Sequence, residues 1–157
     1  MRTFTPDEIA AGFELQQLVA DYWHDADFNE SLKIPDFYTE DCSYVGGPGI
    51  SYNGREGVRR FYDDVRAKKD PTRVMRHTVT NLRVAVKDKN HGTVDYMIVT
   101  YAAAGTPPIE GPTAPSQVTD VHLDCVRKAK GKWEIAKFHG APIFVGGASM
   151  LNKLAKT

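Results

Sequence analysis

Apolar residues recur at spacings of three and four along the first third of the chain and give way to alternation and β-branched runs after residue 73. Thr5-Pro6-Asp7-Glu8 has the form of a capping box with proline at the first helical position. The spacing of Ala11, Leu15, Leu18, Val19 and Tyr22 predicts a helix from there to about Trp23 or His24, with Glu14, Gln16, Gln17 and Asp21 on its wet face. Asn29 is expected to cap a second, short helical stretch carrying Leu32, and Pro35 to open a further turn that faces Phe37 and Tyr38 inward. Cys42–Val45 reads as a short strand ended by Gly46-Gly47-Pro48-Gly49, with a flexible loop after it. Arg55–Lys68 carries Val58, Phe61, Tyr62 and Val65 at helical spacing. Four strand-like segments follow, Arg73–Lys87, Thr93–Ala104, Gln117–Lys128 and Lys132–Phe138, expected to form antiparallel hairpins. Helices first and long strands afterwards predict an α+β fold, a curved antiparallel sheet with its helices on one side. A sheet curved in this way encloses a pocket. The tail after Pro142 is expected to cover a pocket mouth or a neighbouring subunit.

Composition narrows the picture. At 157 residues the chain is expected to form a single domain over residues 1–157, since about 100–200 residues is the usual size. Twenty basic and twenty acidic residues give zero formal net charge, so no global field draws in nucleic acid or an anionic membrane. The N-terminus has no apolar secretory segment, and Cys42 and Cys125 stand far apart with no CxxC, so a cytoplasmic, reducing location is expected. The longest nearly apolar run, Tyr96–Ala104, falls short of the about 20 residues of a membrane helix.

No GxGxxG, GxxxxGK[ST], HExxH or GxSxG is present, so chemistry is expected from bare side chains, with no cofactor and no metal. Of the five histidines, His91 sits in a charged turn, His24 at a helix end beside Asp25, and His122 alternates outward with Asp124, while His139 follows a core-like strand. His77 differs: it lies inside a long strand on the face that carries Met75 and Val79, pointing into the pocket. Asp27, just past the first helix and next to Phe28, is placed to receive an imidazole N–H. Such a pair fixes the tautomer and stabilises the imidazolium that forms when the ring takes a proton.

Leu15-Gln16-Gln17-Leu18 before Asp27, Phe37–Asp41, Asn53-Gly54-Arg55-Glu56-Gly57-Val58, Arg76-His77-Thr78-Val79-Thr80-Asn81 and Gly131–Ile135 together resemble the SnoaL-like branch of the nuclear-transport-factor-two-like superfamily. The resemblance runs from about residue 8 to residue 140, leaving 141–157 as a tail. It implies a cone-shaped α+β barrel of cystatin-like topology around a long N-terminal helix, with a deep apolar cavity. Members include scytalone dehydratase and hexachlorocyclohexane dehydrochlorinase, cofactor-free lyases that use a histidine–aspartate pair. On this resemblance His77 and Asp27 fall at the pair, Tyr44 near a strand tyrosine that polarises substrate, and Arg127 near a cavity arginine. Many members carry Asp-x-x-Asp at the end of the first helix, whereas His24-Asp25-Ala26-Asp27 leaves either Asp25 or Asp27 as the partner. Tyr22 stands about where the dehydrochlorinase has a lysine, which speaks against dehalogenation.

These readings combine into a cofactor-free lyase, a dehydratase or related enzyme, for a small apolar, aromatic or polyketide-like substrate. His77 is the base, Asp27 orients it and Tyr44 donates to the oxygen that gains charge. Tyr22, Trp23, Met75 and Arg127 shape and polarise the pocket. An exposed sheet back carrying Val94, Tyr96 and Ile98, or the residues alternating with them, predicts a homo-oligomer, dimer or trimer. The alternatives are an isomerase or cyclase on the same fold, or a non-catalytic ligand-binding or oligomerisation module.

Overall fold

The structure, a computed structural model, describes residues 3–111, 113–128 and 131–146. Helix α1 (Pro6–Phe28) starts at the predicted cap, where Glu8 N–H donates to the Thr5 hydroxyl and the Glu8 carboxylate accepts from the Thr5 amide. It runs about one turn further than the periodicity predicts, so Asp27 lies in its last turn rather than beyond it. Asn29 is the C-cap of this helix, not the start of another: its amide donates to the Asp25 carbonyl. A single 3₁₀ turn, Ile34–Phe37, follows, and Leu32 is exposed.

Strand β1 (Tyr38–Gly47) is longer than the expected Cys42–Val45 segment and turns through Pro48-Gly49 into β2 (Ile50–Asn53), where a loop was expected. Helix α2 (Gly54–Lys68) begins on Gly54, whose φ of +72° suits glycine and whose Cβ, if present, would sit 3.1 Å from the Glu40 carbonyl. Arg55 then ties this helix to β1 through the Tyr38 carbonyl and the Glu40 carboxylate. Strands β3 (Arg73–Asp88), β4 (His91–Ala104), β5 (Gln117–Arg127) and β6 (Trp133–Val145) complete a curved, unclosed sheet in the order β2-β1-β6-β5-β4-β3. The pairs are antiparallel except β1 with β6, which run parallel.

An extra residue between Thr80 and Arg83 bulges β3, with Asn81 at φ +53°. A bulge bends its strand, and asparagine tolerates this backbone better than most side chains. The bend separates the half of β3 that carries Arg73, Met75 and His77 from the half that lies along α1. The core forms between α1 and the inner face of the sheet, with Leu15, Val19, Val94, Leu123 and Ile135 essentially inaccessible to solvent. Each such aliphatic side chain contributes roughly 1.5–3 kcal/mol by leaving water. Val94, Tyr96 and Ile98 belong to this inner face; Asp95, Met97, Val99 and Tyr101 alternate to the back of the sheet. Residues 141–145, expected as tail, continue β6, and residues 147–157 lie outside the described residues. No described helix is long and apolar enough to cross a membrane.

Candidate active site

A cavity of about 160 Å³ lies between the C-terminal half of α1, the 3₁₀ turn's approach at Ser31, α2 and the inner face of the sheet. Its inner wall is aromatic: Tyr44, Phe61, Tyr62 and Phe138, with Tyr44 stacked on Phe138 at 4.9 Å. A polar row crosses three strands above it, because His77, Thr100 and Gln117 occupy the same register on β3, β4 and β5.

His77 Nδ1 lies 2.6 Å from Asp27 Oδ1, and the His77 backbone amide donates to Asp27 Oδ2 at 2.9 Å. A carboxylate only accepts, so Nδ1 carries a ring proton, and in the neutral ring Nε2 is the nitrogen that offers its lone pair. The two side chains are 11% and 7% exposed. Burial is what separates this pair from His122–Asp95 at 2.6 Å and His91–Asp88 at 3.0 Å, whose side chains are all more than 40% exposed. Trp23 lies against the imidazole, ring centroids 4.5 Å apart, and its indole N–H donates to the Tyr96 hydroxyl.

Asp25, the other candidate partner, is turned away. Its carboxylate accepts from Asn29 Nδ2 at 2.6 Å and from the Lys33 amide at 2.8 Å, tying the loop after α1. His24 and His139 are exposed and lie outside the cavity wall.

Trp23, Met75, Tyr44 and His77 all line the cavity, whereas Tyr22 and Arg127 do not. Successive helical residues point about 100° apart, so Tyr22 looks into the core while Trp23 looks into the cavity. Its hydroxyl bonds those of Tyr38 (3.0 Å) and Tyr62 (2.7 Å). Arg127 ends a strand whose first residue, Gln117, is at the cavity, and ten residues at ~3.4 Å carry it roughly 30 Å away. There it pairs with Glu14 and covers the Trp133 ring. Arg73 and Ser31, which were not among the expected site residues, also line the cavity. Arg73 was legible in principle, since the alternation that faces Met75 and His77 inward faces Arg73 inward too. Ser31 was not, because its φ of +61° and the grip of Arg66 on the Glu30 and Ser31 carbonyls are features of the folded turn.

Burial raises the phenols of Tyr22, Tyr38, Tyr44, Tyr62 and Tyr96 well above their ordinary value, so they are neutral donors near neutral pH. Burial also pushes the Cys42 thiol up to about 11 and the Cys125 thiol up to about 12, which leaves no thiolate nucleophile. Among the described residues no group of three or more His, Cys, Asp or Glu side chains is placed to hold a metal ion. Acid–base chemistry at the imidazole of His77, in a cavity also lined by the phenols of Tyr44 and Tyr62, is what this arrangement can do.

The model of the SnoaL-like domain matches residues 7–139. The chain belongs to the SnoaL-like family. No curated protein matches the sequence. This SnoaL-like domain shares its fold with a Novosphingobium aromaticivorans protein provisionally named a scytalone dehydratase, at 14% identity and a TM-score of 0.75 over 90% of this chain and 89% of the other. It is similar in fold to a Catenulispora acidiphila protein solved in complex with S-DNPA (19% identity, TM-score 0.71, 95% and 99% covered). ActVI-ORFA of Streptomyces coelicolor is a further neighbour (15% identity, TM-score 0.73, 85% and 98% covered).

Proposed function

We propose that this protein is a cofactor-free acid–base lyase of the dehydratase type. The observation that carries the reading is the buried His77–Asp27 pair at the wall of an aromatic cavity. His77 Nε2 takes a proton from the carbon next to a carbonyl, and Tyr44 donates to the carbonyl oxygen as it gains charge. The C–H electrons then form a C=C bond, the β-hydroxyl leaves with its own bonding pair, and the proton on Nε2 converts it to water. Asp27 holds the imidazolium through this cycle, and Trp23 and Met75 position the ring of the substrate. A cavity of about 160 Å³ is close in size to one of about 150 Å³ that takes up benzene. A single-ring substrate therefore fits better than a fused polyketide. The Catenulispora neighbour's complex with S-DNPA supports a small-molecule ligand, and the name of the Novosphingobium neighbour supports dehydration. Met97, Val99, Tyr101 and Phe144 on or beside the sheet back support a homo-oligomer formed through that face.

The test uses the β-hydroxy ketone formed from benzaldehyde and acetone, followed in D₂O. Wild-type protein is expected to exchange the acidic C–H and release the conjugated enone faster than buffer, and His77→Gln to do neither. Equal rates in the two proteins would overturn the reading. Exchange of the acidic C–H with no release of enone would instead make the same pair an acid–base site that enolises its substrate without elimination, as an isomerase does.

A further inference from the structure

We propose that Trp23 is the support on which the His77 imidazolium rests, its indole face stabilising the charge that the ring takes on, and that the buried Tyr96 hydroxyl holds the indole in place. The effect on turnover rests on the acid–base reading of the site; the effect on the His77 proton rests on ring geometry alone.

Trp23 and Asp27 stand four residues apart on α1, so both side chains project from one face of the helix. That face meets a single residue of β3. Asp27 holds the edge of the imidazole through Nδ1 at 2.6 Å, while the indole lies against its face, ring centroids 4.5 Å apart and planes inclined by 36°. A cation within about 6 Å of an aromatic centroid is attracted to the negative face of the ring, and tryptophan is the strongest such partner. The neutral imidazole gains only ordinary ring contact there. The imidazolium gains the attraction of its charge to the ring face as well. The difference favours the protonated form, which is the form that proton abstraction creates, so the contact is stronger after the transfer than before it. The His77 side chain is 11% exposed, and water screens little of this attraction.

The indole is fixed at its other end. Its N–H donates to the Tyr96 hydroxyl at 3.1 Å, on the neighbouring strand β4, and Tyr22 meets the ring edge-on at 5.0 Å. Tyr96 is 5% exposed and takes no part in the proposed elimination. A buried hydroxyl calls for a partner, and here the partner is the ring that supports the base. Released from Tyr96, the indole is free to turn, and a ring met edge-on presents its positive rim to the imidazolium.

Other charges act on the same imidazole. Asp27 favours the imidazolium; Arg73, in the same cavity wall, opposes it, and Arg76 on the outer face of β3 donates to the Asp27 carbonyl. Tyr44 and Tyr62 share the cavity as neutral phenols, and Thr100 and Gln117 carry no charge. Fluorine in place of hydrogen on the indole weakens its negative face and leaves all these groups where they are.

The full chain is therefore prepared with mono-, di- and trifluorotryptophan, and the His77 Cε1–H resonance is followed against pH. The His77 midpoint is expected to fall stepwise with fluorine number, by about half to one pH unit over the series, the size a desolvated cation–π contact allows. In Trp23→Phe, where only Trp133 carries fluorine, the series should leave the midpoint fixed. Tyr96→Phe should lower the midpoint in the unlabelled protein. On the ketone probe the acid limb of the rate profile should move to lower pH with the midpoint while the plateau falls, because a weaker base stays deprotonated further down but abstracts more slowly. A merely structural loss lowers the plateau and leaves the limb in place. A midpoint indifferent to fluorine, or one that responds equally in Trp23→Phe, overturns the support by Trp23, and an unmoved midpoint in Tyr96→Phe overturns the anchoring by Tyr96. A stepwise midpoint with no exchange on the ketone in any of the proteins overturns the base and leaves the support standing. If Trp23→Phe does not fold, His122 on the sheet back serves as the control: a shift there as large as that at His77 overturns the assignment to Trp23.

Discussion

Asp27 grips His77 at two points fifty residues away in sequence, one carboxylate oxygen on the ring nitrogen and the other on the backbone amide. The second contact makes the first precise. By taking the amide of an edge-strand residue, the carboxylate fixes the last turn of α1 against β3, so the strand cannot slide relative to the group that orients its imidazole. Arg76 adds to the same seam by donating to the Asp27 carbonyl at 3.3 Å, at the helix end where carbonyls lack intrahelical partners.

Asp27→Asn keeps one acceptor and loses the charge that steadies an imidazolium. Turnover is expected to fall at least about a hundredfold, the lower end of general acid–base catalysis. His77→Ala should do the same, and the double variant should be no worse than the poorer single one, because an orienting group has nothing to act on once the ring is gone. Steady-state kinetics of the four proteins checks this; additive losses would mean that Asp27 and His77 act separately.

Asp25 provides the contrast. Its buried carboxylate serves Asn29 and the Lys33 amide and touches nothing in the cavity. Asp25→Ala strands a backbone donor and is expected to cost about 1–3 kcal/mol of stability, with kcat unchanged in the folded protein. Urea unfolding together with kinetics separates the two effects. A hundredfold loss of turnover at unchanged stability would move the catalytic role to Asp25.

How much of this could be read from the chain follows the range of each interaction. The Thr5–Glu8 cap and the amphipathic face of α2 are local, and both are where the pattern puts them. The inward face of His77 is a matter of strand parity and was equally legible. The parallel pairing of β1 with β6 joins residues about ninety apart and leaves no periodic trace. β6 was expected to end at Phe138 and instead runs on through Pro142 to Val145. A register shift between Val118 and Thr119 lets the proline sit opposite Thr119 without breaking the strand. Tyr22 and Arg127 were misplaced for geometric reasons, one by a hundred degrees of helix rotation and the other by the length of a strand.

The fit of α1 against the sheet makes its own prediction. A Cβ on Gly92 would stand 2.8 Å from Leu15 Cδ1 and 3.3 Å from the Ala85 carbonyl. Leu15 is fully buried and has nowhere to retreat. Gly92→Ala is therefore expected to destabilise by about 1–3 kcal/mol through overpacking, read as a lower urea midpoint with an unchanged slope. The site lies about three turns further along α1, at its C-terminal end, so turnover of the folded variant should hold; a neutral or stabilising effect would show that α1 sits further from the sheet.

The buried tyrosines predict how stability ends at high pH. Tyr22, Tyr38, Tyr44, Tyr62 and Tyr96 all have their phenols raised, with burial as the leading cause, above the value near 10 of an unfolded chain. Between those two values the unfolded state has released protons that the folded state still holds, so stability falls as pH rises. The contribution is complete below about pH 10 and is lost above it. The urea midpoint should thus stay level through pH 9 as far as these groups are concerned, then fall steeply, since five phenols act in the same direction. Tyrosinate absorbance from these residues should appear together with loss of the far-ultraviolet helix signal rather than before it. Tyr22→Phe removes one of the five and takes away the hydroxyl that bonds those of Tyr38 and Tyr62, leaving Tyr62 its bond to Tyr44, so it should lower stability at neutral pH and flatten the alkaline fall. Tyrosinate formation by all five in a chain that stays folded would mean that solvent reaches the aromatic wall, and that Tyr44 is not held as the neutral donor the proposed elimination needs.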